Sequence, residues 1–207
     1  MKSRKKKSIF KRILLTLLIL TLGLGAYFYV KVSKQVANVL VWEDEVTQAA
    51  KKYELEDYTD IILAIIFTES KGDHVDVMQS SESRYGSRNQ IMTSEESIDS
   101  GVEHLAEVIQ EAQTQKCDIW TAVQAYNFGT QYISYVAERS HENSLDLANS
   151  YSRDVLAPLL GNTTGETYAY KHPLALMYNK GTLYKNGGNL FYAESVKWNL
   201  KIIQLLK

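Results

Sequence analysis

One cysteine, Cys117, stands in the 207 residues. That excludes an internal disulfide and leaves no thiolate pair to hold a metal. The side chain reads as small apolar packing near a helix start. No cysteine closes the apolar N-terminal run, which excludes a lipoprotein-type anchor. There is no linker rich in Pro or Ser, no internal repeat, and no low-complexity tract beyond a basic start. His74, His104, His141 and His172 are scattered without metal-ligand spacing, so neither a metal nor a cofactor is expected. His104 falls on a polar helix face and reads as solvated. Positive charge is scarce outside the first residues. Lys2, Arg4, Lys5, Lys6, Lys7, Lys11 and Arg12 come before residue 13, with no acid among them. Without those seven and Lys31, 15 basic residues face 24 acids. A nucleic-acid binder carries the opposite sign over its folded part, so no nucleic-acid partner is expected.

After the basic cluster the chain runs from Ile13 to Val30 uninterrupted by charge. At about 1.5 Å of rise per residue, such a run just spans a hydrocarbon core. The basic side should stay in the cytoplasm. Tyr27 and Tyr29 fall where an interfacial aromatic belt would lie. Gly23, Gly25 and Ala26 are small but form no clean A-x-A site, so an uncleaved signal anchor is favoured over a cleaved signal peptide. The expected organisation is a cytoplasmic segment at 1–12 and a transmembrane anchor at 13–32. Next come a juxtamembrane linker at 33–42 and one extracellular domain at 43–207.

The domain reads almost entirely as helices. Glu43 to Tyr53 is expected as a surface helix. Thr59 or Asp60 can cap the next, Ile61 to about Ser70, which is apolar nearly all round and should be buried centrally. Residues 71–92 lack a lasting period and read as an ordered loop or small hairpin. Thr93 with Glu96, and Ser100 with Glu103, have capping-box spacing. From Gly101 the apolar positions Val102, Leu105, Val108, Ile109 and Ala112 recur at helical spacing. Asp118 can cap a helix that ends at Gly129. Leu145 to Leu156 is a further helix, stopped near Pro158. Residues 161–190 read as a long shaped loop, the kind that often carries function. A last helix presents Tyr192, Val196, Leu200 and Ile203 on one face.

Glu69 follows seven apolar residues, Ile61 to Phe67, and then Thr68. A carboxyl at the end of such a helix is partly desolvated, which raises its pKa. A general acid needs that property near neutral pH. Position alone leaves open that Glu69 merely begins a polar loop. Ser80, Ser81 and Ser83 have no nearby His and Asp in a triad-like order.

Three segments in order carry a resemblance. They are Glu69-Ser70-Lys71-Gly72, then Asp76-Val77-Met78-Gln79-Ser80-Ser81-Glu82-Ser83, then Gln124-Ala125-Tyr126-Asn127-Phe128-Gly129. With the late Tyr192, the set resembles lysozyme-like domains of the soluble-lytic-transglycosylase type, related to goose-type lysozyme. The resemblance covers residues 43 to 205. Asp76-Val77 stands where the wider superfamily has Gly-Leu, and the gap from Glu69 to Gln79 is short, as in muramidase domains of bacterial cell-wall enzymes. The implied fold class is mainly α: a lysozyme-like helical domain with a small loop or hairpin region, preceded by one transmembrane helix.

The resemblance also implies roles. Glu69 would protonate the β-1,4 glycosidic oxygen between N-acetylmuramic acid and N-acetylglucosamine in peptidoglycan. Tyr192 would hydrogen-bond Glu69 and orient it. Met78, Gln79 and Ser80 would line the sugar groove, Asn127 would bind an acetamido group, and Tyr126 would pack behind. An amide suits sugars because it both donates and accepts. Asp73, Asp76 and Glu82 are the candidate second acids, which a hydrolase needs and a lytic transglycosylase does not. Their other readings are a turn residue for Asp73, a loop-bonded carboxylate for Asp76, and a partner of Arg84 or Arg88 for Glu82. Tyr168, Tyr170, Tyr178 and Tyr184 either stack on sugars or fill a small core. The implied partners are peptidoglycan and the membrane, with division or wall-synthesis proteins as further candidates. The alternative function is a membrane-anchored, peptidoglycan-binding scaffold with little or no catalysis.

Overall fold

The computed structural model describes residues 2–81, 85–87 and 90–207, with side chains from Leu14 on. Its first element, α1 (Lys2–Leu40), is 39 residues long. Within it Leu14–Leu40 is long and apolar enough to cross a membrane. The side chains from Leu14 to Val30 are exposed, as a lipid-facing surface would be. From Val32 on, the same helix changes partner. Val32 is half-buried, and Val36 and Val39 are fully buried in the domain core. Val32, Val36 and Val39 recur at helical spacing and face the domain. Residues 33–40 of the segment expected as a linker at 33–42 are therefore the last turns of α1, packed against the domain.

Helix α2 (Glu43–Lys52) carries Glu43, Asp44 and Glu45 in its first turn and Lys51 and Lys52 in its last, complementing the helix dipole. It buries Val46, Ala49 and Ala50. A 3-10 turn, Glu56–Tyr58, runs directly into α3 (Thr59–Glu69). The expected side-chain cap by Thr59 or Asp60 is absent; the N-cap is Tyr58, and the Thr59 hydroxyl instead donates to the Glu56 carbonyl. Ile62 to Phe67 are buried, so α3 is the central helix, packed by α1, α2 and the final helix.

Helix α4 (Ser94–Thr114) begins at the Thr93 cap, whose hydroxyl accepts from the Glu96 amide. The second candidate box, Ser100 with Glu103, lies inside this helix, because the chain is already helical seven residues before Gly101. Asp118 caps α5 (Ile119–Phe128), which Gly129 ends at φ +85°. A short helix α6 (Gln131–Ala137), not read from the sequence, comes at once and buries Tyr132, Ile133 and Val136. Helix α7 (Leu145–Tyr151) is capped by Ser144 and continues through a π-helical turn, Ser152–Leu156, to Leu159. Pro158 sits within that last turn, near the expected stop.

The stretch from 161 to 190 is more regular than a loop. Strands β1 (Thr167–Ala169) and β2 (Thr182–Tyr184) pair antiparallel, Thr167 opposite Tyr184, around a short helix α8 (Pro173–Asn179). Helix α9 (Tyr192–Leu206) then crosses α3, α5 and α1. The fold is mainly helical, as the sequence indicates, with few strands.

Gly101 marks a tight helix-to-loop contact. A Cβ there would lie 2.6 Å from Met78 Sδ and 2.7 Å from Met78 Cβ. Gly101→Ala should therefore cost about 1–3 kcal/mol by overpacking. Urea unfolding monitored by circular dichroism checks this, and a loss below about 0.5 kcal/mol would show that Met78 relaxes freely.

Candidate active site

Glu69 ends α3, and Tyr192 begins α9, 123 residues later. The Tyr192 hydroxyl donates to Glu69 Oε1 at 2.6 Å. Beyond Glu69 the chain must turn sharply, and Lys71 and Gly72 do so with φ of +62° and +71°. Only glycine fits at 72 for a second reason: a Cβ would lie 2.7 Å from the Asn38 backbone of α1. The Ser70 hydroxyl fastens the turn, accepting from the Gly72 amide and lying 2.8 Å from the Val77 carbonyl.

Burial is the largest influence on the Glu69 carboxyl and pushes its pKa up to about 7. The hydrogen bond from Tyr192 and the positive charge of Lys71 pull the other way, while the Asp76 charge adds to the rise. Lys71 is itself half-buried, with its ammonium donating to the Thr68 carbonyl at 3.0 Å. A carboxyl of this kind is protonated for much of the time at neutral pH and can donate a proton.

The loop from Asp76 to Ser81 is organised around one carboxylate. Asp76 accepts from the Ser80 amide, the Ser81 amide, the Ser81 hydroxyl and, at 2.6 Å, the Ser97 hydroxyl of α4. Burial pushes its pKa up, but these bonds outweigh burial and hold it below the usual carboxylate range. Met78 is fully buried against Gly101, so its side chain does not line an open groove. Its backbone serves the site instead: the Met78 carbonyl accepts from the Tyr126 hydroxyl at 3.1 Å. Ser80 is also buried, with its hydroxyl on the Ser97 carbonyl. Gln79 is exposed, at φ +51°, with its amide nitrogen on the Asp76 carbonyl. Asp73 is exposed on the turn, and Glu82 lies outside the described residues.

Tyr126 stacks on Tyr192, ring centroids 6.1 Å apart. His104, expected in solvent, is half-buried with its ring 5.1 Å from that of Tyr126. The neighbouring Asn127 is exposed, and its Oδ1 accepts from the Asn189 amide. Two residues that no local pattern marked as site residues set the position of Tyr192. Gln124, fully buried, donates to the Asn189 carbonyl and accepts from the Ala193 amide. Asn189 accepts the Tyr192 amide on its carbonyl and the Phe191 amide on its side chain. A buried glutamine on an otherwise apolar helix face was the available signal for Gln124; Asn189 carried none. Of the loop tyrosines, Tyr170 stacks on Phe191 and on His172, and Tyr178 meets Phe191 edge-on. Tyr168 is exposed. Among the described residues, no group of three His, Cys, Asp or Glu side chains could hold a metal ion.

Glu69 should titrate near pH 7 by carbon NMR. Tyr192→Phe and Lys71→Met each remove an influence that lowers its pKa, so each should move the titration upward. The folded protein then binds a proton that the unfolded chain, titrating near 4.5, has released. Stability from this group is complete below pH 4.5 and falls as pH rises towards 7. Glu69→Gln should accordingly stabilise the protein at pH 8 relative to its effect at pH 4.5, as denaturant unfolding at the two pH values will measure.

The chain is similar to several known proteins. A Streptococcus pyogenes homologue of pneumococcal vaccine antigen A is 48% identical over 171 residues, 83% of this chain and 85% of that protein. The bifunctional muramidase/DL-endopeptidase CwlT of Bacillus subtilis is 38% identical over 97 residues, 47% of this chain and 29% of that enzyme. A Staphylococcus aureus crystal structure, described as similar to an NLP/P60-family lipoprotein, superposes with a TM-score of 0.72 at 34% identity. The match covers 79% of this chain and 52% of that one, so the chain spans about half the staphylococcal protein's length. The lysozyme-like family model matches residues 36–200, from the end of α1 into α9, and the chain belongs to the lysozyme-like family.

Proposed function

We propose that this protein cleaves peptidoglycan glycan strands at the β-1,4 bond between N-acetylmuramic acid and N-acetylglucosamine. Glu69 is the catalytic acid, and the protein works from the outer face of the membrane to which α1 anchors it. The observation that carries the reading is the Tyr192 hydroxyl, 2.6 Å from a Glu69 carboxyl that burial keeps protonatable near pH 7. The pairing aims the acid, and burial sets its strength. Gln79 and Asn127, both exposed, offer amide groups to sugar hydroxyls and acetamido groups. The muramidase activity in the name of CwlT supports the substrate class. The basic start and the apolar α1 support a single-pass anchor with the domain outside.

The described carboxylates favour the route without a second acid. Asp76 spends its oxygens on four donors and holds the loop, which leaves no lone pair placed to activate water. Asp73 is exposed on the turn. In the route we favour, Glu69 gives its proton to the glycosidic oxygen and the C1–O bond breaks, with the substrate's acetamido oxygen supporting C1. The Glu69 carboxylate then takes the proton of the muramic 6-hydroxyl as that oxygen closes on C1, leaving a 1,6-anhydro end. No water is consumed.

The test is digestion of purified sacculi by the full-length protein in detergent, with product ends read by mass spectrometry. Anhydro ends are expected, and Glu69→Gln should lose at least about 100-fold in rate, the lower range for a general acid. Reducing ends would replace the anhydro route with hydrolysis. A folded wild type inactive on every wall substrate would leave the protein a peptidoglycan-binding scaffold.

A further inference from the structure

The last turns of α1 are part of the domain's core, and their packing limits where the site can work. The apolar exposed stretch ends at Val30, Lys31 is exposed, and Val32 is already half-buried against the domain. The Ser33 hydroxyl oxygen is shielded from solvent, and Val36 and Val39 are in the core. Between the anchor and the first contact with the domain there is thus one exposed residue, and it is helical.

The contact is also firm at its upper end. Gly72, three residues after Glu69, lies so close to Asn38 of α1 that no Cβ would fit. The Trp42 indole donates to the Gly72 carbonyl at 3.3 Å. Just beyond, Glu43 pairs with Lys207 at the end of α9, whose first residue is Tyr192. Helix α1 packs on both α3 and α9, the two helices that carry Glu69 and Tyr192. A ten-residue flexible linker could have let the domain rise by about 30 Å when extended. Here the same residues form a post inside the fold.

We infer that α1 is a rigid post that seats the domain directly on the outer bilayer surface, holding the Glu69 site at a fixed low height and confining it to glycan lying next to the membrane. The seven helical steps from Lys31 to Asn38 rise about 10 Å, and that rise sets the height of the Gly72 turn above the lipid boundary. This inference rests on the membrane-anchored reading of α1 proposed above.

The experiment uses full-length protein in phosphatidylglycerol vesicles, in a Cys117→Ser background with a donor dye on His74→Cys. His74 is exposed on the turn beside Gly72. Energy transfer to headgroup-labelled lipid should give one narrow distance distribution. Inserting ten Gly/Ser residues between Lys31 and Val32 should lengthen and broaden it. A distribution already broad in the parent, or unchanged by the insert, would overturn the rigid post. Both proteins are then offered sacculi fragments. In vesicles the insert variant should digest them at least tenfold faster than the parent, and in detergent the two should match. Equal rates in vesicles would overturn the confinement. Extraction of the parent by alkaline carbonate would refute the membrane anchor itself. Inactivity of both proteins in detergent would refute the proposed function, while the distance measurement still decides the geometry.

Discussion

The architecture turns on a carboxyl that the fold keeps out of water without leaving it unpaired. A buried carboxylate with no partner is too costly to keep, and one paired with a full positive charge would be ionised and useless as an acid. Glu69 lies between these extremes. Among the described residues its one side-chain hydrogen bond comes from a neutral phenol, which favours the carboxylate but does not outweigh burial. Lys71 contributes positive charge to the neighbourhood, but its ammonium donates to the Thr68 carbonyl. The end of a helix also carries partial negative charge, which further disfavours a carboxylate at the last residue of α3.

Keeping that balance requires α3 and α9 to hold register. Two hydrogen bonds do so, from Tyr192 to Glu69 and from Asn199 to the Thr68 hydroxyl, with the buried Val196 between them on α9. Gln124 and Asn189 then fix the entry into α9 through backbone groups, so Tyr192 begins its helix at a defined point. Most of the residues around the acid therefore act on its geometry. Asp76 illustrates the division of labour. It is an acid beside the site, yet its hydrogen bonds make it the knot that ties residues 76–81 to Ser97 of α4. Met78 likewise presents a carbonyl to Tyr126 while its side chain fills the space above Gly101.

The same economy extends to α1, the proposed anchor. A helix that must leave a bilayer usually needs its own stop and a connecting segment. Here the hydrogen-bonded ladder continues without a break, and only the solvent of its surface changes, from an apolar exterior at Leu14–Val30 to a protein core at Val36 and Val39. The apolar face narrows from all round to one stripe at that point, as expected when one side of a helix meets protein and the other meets water.

Much of this was legible in the chain itself. The apolar run, the Thr93 and Asp118 caps, the Gly129 stop and the buried stretch before Glu69 are local signals, because caps and periodicity depend on neighbours within a few residues. The ordered motifs carried the family, and with it the expectation that Tyr192 meets Glu69. Short elements such as α6, α8 and the β1–β2 pair were missed, since seven or three residues give too few periods to read. From sequence the 33–42 stretch reads as a linker, because its Val36 and Val39, in line with Val32, gain meaning only when another surface covers them. The burial of Met78, the Ser97 bond that completes the loop-bonded Asp76, and the roles of Gln124 and Asn189 were likewise decided in three dimensions. Each depends on partners 19 to 69 residues away, and sequence spacing does not encode which distant groups will close around a side chain.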